Sequence, residues 1–302
     1  MAGPPRVAVV TDSTVSLPRE YYSSLPLWVV PLEVVIEGKT YQDGVDISAE
    51  EFYALFPRLT RPPTTSSPQP ASWLEAFRQA AGQASSVLCI TLASALSTTF
   101  RSALAAQEMA REALPGLPIR VTDSTTAGGG LAWVALAAAR RAREGAGLEE
   151  VEAYAREVAG RVHFLGVLNT LYYTWKGGRI PRLALWATSL LNIKPILELS
   201  QGQIKMVERP RSRPRALDRL LALVRQRTTG RPLRVNVMHA SAPDEAEGLA
   251  ARLRDSFPIA ELLVSTFTPV IGAHTGPGLL GLAFYEEANP RPLSGRGSLL
   301  LL

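Results

Sequence analysis

Residues 9–14 read VVTDST and residues 120–125 read RVTDST. Both stretches end a β-branched run, which is typical of a buried strand, with an aspartate and a serine. In an open parallel sheet, the carboxyl ends of the strands form the crevice in which ligands bind. The repeat therefore predicts two parallel strands whose Asp-Ser pairs meet at that crevice. The pairs are Asp12 with Ser13 and Asp123 with Ser124. In the alternative interpretation each pair only caps the element that follows it, because Asp and Ser are common caps.

The rest of the first half alternates strand patterns with helix patterns. Strand-forming runs are RVAVV (6–10), LWVVPLEVVI (27–36), SSVLCITL (85–92) and IRVTD (119–123). Helical patterns are SAEEFYALF (48–56), SWLEAFRQAA (72–81), TTFRSALAAQEMAREAL (98–114) and two segments at about 129–143 and 148–160. The first of these opens with a capping box, in which Ser48 and Glu51 satisfy each other's backbone amides. Strands separated by helices predict a mostly parallel sheet with helices on both faces.

The second half has strands that follow one another through short polar links. Its predicted strands are NIKPILEL (192–199), GQIKMVER (202–209), LRVNVMHA (233–240) and AELLVSTFT (260–268), and its predicted helices are 214–228 and 244–256. The run LSQGQ at 199–203 is typical of a hairpin turn. We therefore predict an α/β protein of two domains. The domains are an N-terminal one with a mostly parallel sheet (1–160) and a C-terminal one with a mixed sheet (161–288), followed by a loosely held tail (289–302).

Composition excludes several classes of protein. With 302 residues, 46% of them hydrophobic, the chain can bury a core in each domain, which excludes a disordered or fibrous protein. Apolar runs such as GLAWVALAAA (130–139) fall short of the ~20 residues that cross a bilayer, and MAGPPRVAVV at the N-terminus lacks the plan of a signal peptide. We therefore expect a cytoplasmic protein without stable membrane insertion. The single cysteine, Cys89, excludes an intrachain disulfide and is interpreted as a small buried apolar residue, with a reactive thiol as the alternative.

The net charge of +5 is concentrated in residues 204–234, a tract rich in arginine. Such a tract is able to contact nucleic acid, a membrane surface or an acidic protein. The alternative is the solvated face of a helix, because apolar residues recur there at helical spacing from Leu217 to Val224. No aromatic residues interleave with the arginines, so nucleic acid is not expected as a partner.

The familiar catalytic and cofactor motifs are missing from the sequence. GPGLLG at 276–281 matches the dinucleotide fingerprint, but too few residues follow it for the required βαβ unit and acidic residue. There is no G-x-S-x-G elbow and no P-loop lysine, and His163, His239 and His274 are far apart in sequence. We therefore expect neither a cofactor nor a metal. His163 and His239 are interpreted as core histidines, because they lie in or beside apolar strands.

His274 lies in the stretch VIGAHTGPGLLGLAF (270–284), among several glycines. The glycines are predicted to turn backbone N–H groups toward a ligand, with the hydroxyl of Thr275 and the imidazole as further donors. The alternative is a structural turn with an incidental histidine. Two hydroxyl-rich loops, 61–73 and 91–100, precede helices and offer the same chemistry for an anion. Together these loops favour binding of an anion over its chemical conversion.

The chain resembles the DegV family of bacterial fatty-acid-binding proteins from about residue 6 to residue 285. The segments that carry this resemblance occur in the family's order. They are TDSTVSLP (11–18), TTSSPQP (64–70), ALSTTFRSA (95–103), VTDSTTAGGG (121–130), WKGGRIP (175–181), LLNIKPIL (190–197) and IGAHTGPGLLGLAF (271–284). The resemblance implies two α/β domains that enclose a long acyl chain, with its carboxylate at the domain junction.

The resemblance also implies residue roles. The carboxylate ligands would be Thr65, Ser97 and His274. The family presents its bound acid to a separate fatty acid kinase, and Arg179 and Arg211 would be the exposed arginines that dock this kinase. Further candidates for the ligand site are Ser66, Thr98, Thr275, Gly276, Ser13 and Ser124.

Two residues depart from the family pattern. Ala93 stands where the family usually has serine and Thr98 where it usually has glycine, and TTSSPQP also lacks the glutamine that directly follows the family's TS pair. The first hypothesis is thus a non-catalytic carrier of one long-chain fatty acid, such as palmitate, with a kinase as partner. The alternatives are an acyl hydrolase or acyltransferase that uses Ser97 and His274, and a regulator that binds nucleic acid through residues 204–234.

Overall fold

The computed structural model describes residues 6–180 and 193–287. The strands are β1 (Ala8–Asp12), β2 (Leu27–Val30), β3 (Glu33–Ile36), β4 (Lys39–Gln42), β5 (Thr64–Ser66), β6 (Val87–Thr91), β7 (Ile119–Asp123), β8 (His163–Val167), β9 (Ile196–Ser200), β10 (Gln203–Glu208), β11 (Leu233–His239), β12 (Ile259–Thr266) and β13 (Leu280–Glu286). The α-helices are α1 (Ala49–Leu55), α2 (Pro70–Ala81), α3 (Thr99–Ala113), α4 (Gly129–Arg143), α5 (Leu148–Arg161), α6 (Tyr172–Lys176), α7 (Arg213–Arg227), α8 (Pro243–Ser256) and α9 (Pro269–Thr275).

The N-terminal half contains the predicted parallel sheet, with strand order β2-β1-β6-β7 and every pair parallel. Alternate residues of β1 enter different cores, as the period of a strand requires. Ala8 and Val10 pack with α2 and α3, whereas Val9 packs on the opposite side with α4. The predicted capping box is present at the start of α1, where Ser48 and Glu51 exchange hydrogen bonds.

The predicted strand at 27–36 is two strands, because Pro31 separates them. Proline has no backbone N–H to donate to a ladder, so strand pairing is interrupted at this point. β2 pairs with β1, whereas β3 joins a separate antiparallel sheet with order β4-β3-β5. This small sheet was not predicted, and its strand β5 carries Thr65.

The C-terminal half contains a six-stranded mixed sheet with order β10-β9-β8-β13-β11-β12. β11 and β12 are parallel, and the other pairs are antiparallel. The predicted hairpin joins β9 to β10, and its turn residues Gln201 and Gly202 both have positive φ, at 50° and 71°. The sheet also contains β8 and β13, which were not predicted as strands.

Helix α4 lies between the two large sheets and is buried along nearly its whole length. Its alanines and Trp133 form one core with residues of both sheets, while α7 and α8 cover the far face of the mixed sheet in a second core. The predicted domain boundary at residue 160 falls at the end of α5 and stays a prediction. The predicted tail at 289–302 lies outside the described residues.

Candidate functional site

A cavity lies where the carboxyl end of the parallel sheet meets one face of the mixed sheet. The empty space between its walls is about 860 Å³, part of it open to solvent. The residues that line it are Thr14, Leu32, Thr65, Leu92, Leu96, Ser97, Ala127, Phe164, Leu165, Gly166, Leu168, Thr174, Arg179, Leu197, Leu199, Ile204, Val270, Ile271, His274, Thr275 and Leu279.

Most of this lining is aliphatic. Leucines of β8 and β9, together with Ile204 of β10, form the wall from the mixed sheet, and Val270 and Ile271 come from α9. The polar residues are a minority. Such a surface solvates an apolar chain and offers few hydrogen bonds along most of its length.

The polar residues include the predicted pair Thr65 and His274. Thr65 Oγ1 lies 2.8 Å from His274 Nε2. β5 brings Thr65 to this position, and the last turn of α9 brings His274, so the contact joins the two halves of the chain.

His274 is neutral near pH 7. Burial, together with the positive charge of Arg179, lowers its pKa to about 4. Its Nδ1 faces Gly177, because a Cβ atom at that glycine would lie 2.4 Å from Nδ1. With the proton on Nε2, the imidazole donates to Thr65 Oγ1, and the Thr65 hydroxyl keeps its own proton for a ligand.

Ser97, the third predicted ligand, is also part of the lining. It lies at the start of α3, where its Oγ is 2.8 Å from Thr99 Oγ1 and accepts a hydrogen bond from Thr99 N–H. The first amides of a helix have no partner within the helix, and their partial positive charge favours an anion. Ser97 therefore lies where the start of α3 meets the cavity.

A polar mouth adjoins the apolar cavity. Its lining consists of Thr65, Ser66, Ser67, Ser94, Ala95, Leu96, Ser97, Thr98, Arg101 and Arg179. Ser67 Oγ lies 2.9 Å from Thr98 Oγ1 and links the two hydroxyl-rich loops. No described residue of this lining is acidic, so the mouth favours an anionic group. Ser67 and Arg101 were not predicted.

Arg179 lines both the mouth and the cavity and is half-buried. Its Nε donates to Leu96 O at 3.2 Å, and its Nη1 donates to Gly177 O at 2.5 Å. Arg211, the other predicted docking arginine, is exposed just before α7. The two arginines thus have different surroundings, because one supports the walls of the site and the other faces solvent.

The remaining predicted candidates divide into those near the cavity and those buried elsewhere. Ser66 and Thr98 line the mouth, and Thr275 lines the cavity, although its hydroxyl donates to Ile271 O. Three others lie outside the described lining of both. They are Gly276, which caps α9, Ser13, which donates to Asp43, and Ser124, which donates to Thr126 O.

The aspartates of the repeated Asp-Ser motif hold the loop that carries Ser97. Asp12 accepts from Leu92 N–H at 2.7 Å, and Asp123 accepts from Ser94 N–H at 3.1 Å. Both bonds are possible because β6 lies between β1 and β7 in the sheet. The motif therefore shapes the site from behind through its carboxylates.

The prediction that the glycines near His274 present their N–H groups to a ligand is wrong. Gly272 N–H, Gly276 N–H and Gly278 N–H donate to Thr268 O, Gly272 O and Ala240 O. These positions are glycine because neighbouring side chains approach the backbone too closely for a Cβ atom. A Cβ at Gly272 would lie 2.6 Å from Tyr53 Oη, and a Cβ at Gly276 would lie 2.2 Å from the Tyr173 ring.

The first turn of α9 meets a buried acid of the N-terminal half, Asp43. Asp43 accepts a hydrogen bond from Ser13 Oγ at 2.6 Å, and Tyr53 Oη donates to Phe267 O at 3.0 Å nearby. Burial raises the pKa of Asp43 to about 7, although hydrogen bonds from Ser13, Thr268 and Val270 N–H oppose the rise. The neighbouring Asp12 has its pKa raised by burial to about 6. Helix α9 is therefore attached to the N-terminal half at both ends, because His274 lies at its other end.

A model of the DegV family, described as an uncharacterised protein family, matches residues 6–287. A DegV domain-containing protein of Streptomyces coelicolor is 38% identical over 278 residues, which make up 91% of this chain and 97% of that protein. The chain belongs to the DegV family. Another DegV domain-containing protein, from Caldanaerobacter subterraneus, is 33% identical over 93% of this chain and 99% of its own length.

Solved DegV family structures share the fold. One from Thermus thermophilus, described by its fatty acid binding, has a TM-score of 0.86 and 31% identity and covers 93% of this chain and 100% of its own. DegV of Bacillus subtilis, described as a fatty acid binding protein, has a TM-score of 0.85 and 29% identity over 94% and 100% of the two chains. These structures confirm the predicted α/β class, with a parallel and a mixed sheet.

Two further properties concern the described residues only. None of their helices has the length and apolar character needed to cross a membrane. No group of His, Cys, Asp and Glu among them has the arrangement of a metal site. His163 and His239, predicted as core histidines, are only partly buried, although His163 stacks on Phe284 and burial lowers the pKa of both.

Proposed function

We propose that this protein binds a long-chain fatty acid, with the acyl chain in the aliphatic cavity and the carboxylate at the Thr65–His274 pair. The observation that carries the proposal is the apolar cavity that ends at a cluster of hydroxyls and a neutral imidazole. The fatty acid binding described for the Thermus and Bacillus proteins supports the same ligand class.

Burial of the acyl chain supplies most of the driving force. At ~0.8 kcal/mol per methylene, a sixteen-carbon chain gains on the order of 10 kcal/mol on leaving water. A bilayer offers the chain a similar environment, so the free energy of transfer from membrane to protein is much smaller than this figure. The polar end of the cavity therefore decides which kind of head group is retained.

The head group meets donors that carry no net charge. A buried carboxylate is stable only where several hydrogen bonds replace its hydration. The hydroxyls of Thr65 and Ser97 are such donors, and the neutral His274 orients the first of them. Arg179 adds a positive charge at the mouth, and no acidic residue in the described part of the chain forms an ion pair with it.

We also propose that the bound acid is presented to a fatty acid kinase, which phosphorylates the carboxylate in place. The support is the position of the head-group site beside a solvent-facing mouth that is lined by hydroxyls and arginines and by no described acidic residue. Arg211 is exposed, and Arg179 lies at the mouth. A partner that carries phosphate and acidic side chains would meet favourable charge at this surface.

An acyl hydrolase that uses Ser97 and His274 is the second candidate function. The hydrogen bonds of the site favour the carrier, because His274 Nε2 contacts Thr65 and Ser97 contacts Thr99. Among the described residues, no carboxylate orients the imidazole through Nδ1. Turnover of acyl esters by the purified protein would favour the hydrolase.

Native mass spectrometry of the protein as isolated tests the proposal. The expected result is an added mass of one fatty acid, which is lost when Thr65 and Ser97 are both replaced by alanine. A protein without added mass that also fails to take up palmitate from solution would contradict the proposed function.

A further inference from the structure

Thr174 has no role in the site as described so far. It lies on α6, its hydroxyl is buried with the residue only 2% exposed, and it lines the cavity. No described residue accepts from or donates to its Oγ1. In folded proteins a buried hydroxyl without a partner is destabilising, so such a group calls for an explanation.

The other hydroxyls and the guanidinium of the cavity lining are hydrogen-bonded within the protein. The hydroxyls of Thr14 and Thr275 donate to Asp12 and to Ile271 O. The remaining contacts are Thr65 with His274, Ser97 with Thr99, and Arg179 with Leu96 O and Gly177 O. Within the described lining, the buried polar side-chain atoms without a partner are thus Thr174 Oγ1 and His274 Nδ1.

These two atoms belong to neighbouring helices. Residues three apart lie on one face of a helix, so Thr174 lies on the same face of α6 as Gly177, which caps the end of this helix. Gly177 touches the imidazole, since a Cβ there would lie 2.4 Å from His274 Nδ1. Thr174 is therefore on the face of α6 that meets His274, at the polar end of the cavity.

We propose that Thr174 is a further ligand of the fatty acid head group, and that its hydroxyl donates to a carboxylate oxygen. This inference rests on the proposed function. A carboxylate has two oxygens and about four acceptor positions, more than Thr65 and Ser97 fill. The bound acid gives Thr174 the partner that the protein lacks, and valine would serve at this position if packing were its only role.

The experiment compares Thr174→Val with the parent protein in two measurements. One is the urea midpoint of the ligand-free protein, and the other is the dissociation constant for palmitate with a carboxyl-¹³C label. We expect an unchanged or higher midpoint for Thr174→Val, because an unpaired hydroxyl is removed. We expect roughly tenfold weaker palmitate binding, because a hydrogen bond to a charged group is lost. Thr174→Ser, which keeps the hydroxyl, is expected to restore most of the affinity.

Thr11→Val is the matched control. Thr11 is also fully buried with an unpaired hydroxyl among the described residues, but it lies outside the described lining of the cavity. We expect it to leave palmitate affinity unchanged. The ¹³C carboxyl resonance gives a second readout, since loss of a donor shifts the titration of the bound acid to higher pH in Thr174→Val and leaves it in place in Thr11→Val.

Equal palmitate affinity and equal carboxyl titration in Thr174→Val and the parent would overturn the inference and leave the proposed function intact. A parent protein that does not bind palmitate would overturn both. Thr174→Ala also removes the hydroxyl, so it provides the same comparison if the valine variant does not fold.

Discussion

Thr65 Oγ1 and His274 Nε2 lie 2.8 Å apart, although 209 positions separate the two residues in the chain. The contact holds the end of α9 against β5. At the other end of α9, Thr268 N–H donates to Ser16 Oγ at 3.3 Å. Thr268 and Val270 N–H also donate hydrogen bonds to Asp43, and these bonds oppose the larger rise in the pKa of Asp43 that burial causes. The proposed head-group site is therefore complete only when the two halves of the chain are docked on each other.

The first prediction concerns the head-group hydroxyls. Thr65→Ala combined with Ser97→Ala is expected to weaken palmitate binding at least tenfold, because each change removes a donor to a charged group and such bonds contribute ~1.5–3 kcal/mol. Competition titration with a fluorescent fatty acid measures the change. Thr64→Ala is the control, since Thr64 is the exposed neighbour on the same strand. Unchanged affinity in the double variant would remove both residues from the site.

The second prediction separates steric contact from backbone strain at Gly276. This residue has φ of 72°, and a Cβ on it would lie 2.2 Å from the Tyr173 ring. We expect Gly276→Ala to lower the free energy of unfolding by roughly 2–5 kcal/mol, because its φ of 72° with ψ of 173° is a conformation that other residues rarely adopt and because the added methyl group overpacks against Tyr173. Urea unfolding measures the difference.

Gly44 provides the matched control for this measurement. It has φ of 75° with no atom within 4 Å of an added Cβ. Gly44→Ala is expected to cost only the ~1–2 kcal/mol of the backbone conformation. Equal losses at the two glycines would show that contact with Tyr173 does not explain Gly276.

The third prediction concerns pH. The pKa of Asp43 is about 7 in the folded protein and 3.8 as its ordinary value, so the folded state binds more protons between these limits. Stability from this group is present at low pH and is lost as the pH rises toward 7. We expect the free energy of unfolding of Asp43→Asn, measured relative to the parent, to rise by on the order of 3 kcal/mol from pH 4 to pH 8.

Unfolding free energies measured across that range in both proteins check the pH prediction. In the difference between the two unfolding free energies, the contributions from titration of Asp12 and of the histidines cancel to a first approximation. Asp46→Asn is the control, because Asp46 belongs to the same loop and is exposed. A difference between Asp43→Asn and the parent that does not vary with pH would contradict the burial argument.

The fourth prediction tests presentation to a kinase. Arg211→Glu is expected to retain fatty acid and to reduce acyl phosphate formation by the cognate kinase at least tenfold. Arg179→Glu is expected to reduce it as well, and also to weaken fatty acid binding, because Arg179 lines the cavity. Arg211→Glu is the cleaner variant, since Arg179 also donates to Leu96 O and Gly177 O. Arg111→Glu, which changes an exposed arginine near the end of α3, is the control. Undiminished acyl phosphate formation would remove these arginines from the docking surface.

Periodicity in the sequence predicted the long elements well. Helices α4 and α5 lie within one residue of the predicted bounds, because a long run of regular spacing is a strong signal. Several short elements were missed. β5, α6 and α9 have at most seven residues each, and tertiary contacts such as Tyr53 against Gly272 hold them in place. β13 was missed because the glycine-rich stretch that leads into it, TGPGLLG (275–281), resembles a loop.

The head-group candidates came from motifs more than from periodicity. The structure brings Thr65 and His274 together and places Ser97 on the same cavity, as the family resemblance implied. The sequence offers no signal for Thr174, because threonine is ordinary on a short helix and its missing partner is visible only in three dimensions. Ser13 and Ser124 follow the same strand motif, yet their side chains turn into the interior, and no sequence pattern records that direction.

Strand β13 lies between β8 and β11, although it is synthesised after every other strand of that sheet. A growing polypeptide on the ribosome thus exposes the apolar edges of β8 and β11 until residues 280–286 emerge from the exit tunnel. Insertion of this strand joins β8 and β9, whose leucines line the cavity, to β11 and β12. Chaperones that shield unpaired strand edges therefore have a defined interval in which to act, and under the proposed function the nascent protein is expected to hold no fatty acid before that interval ends.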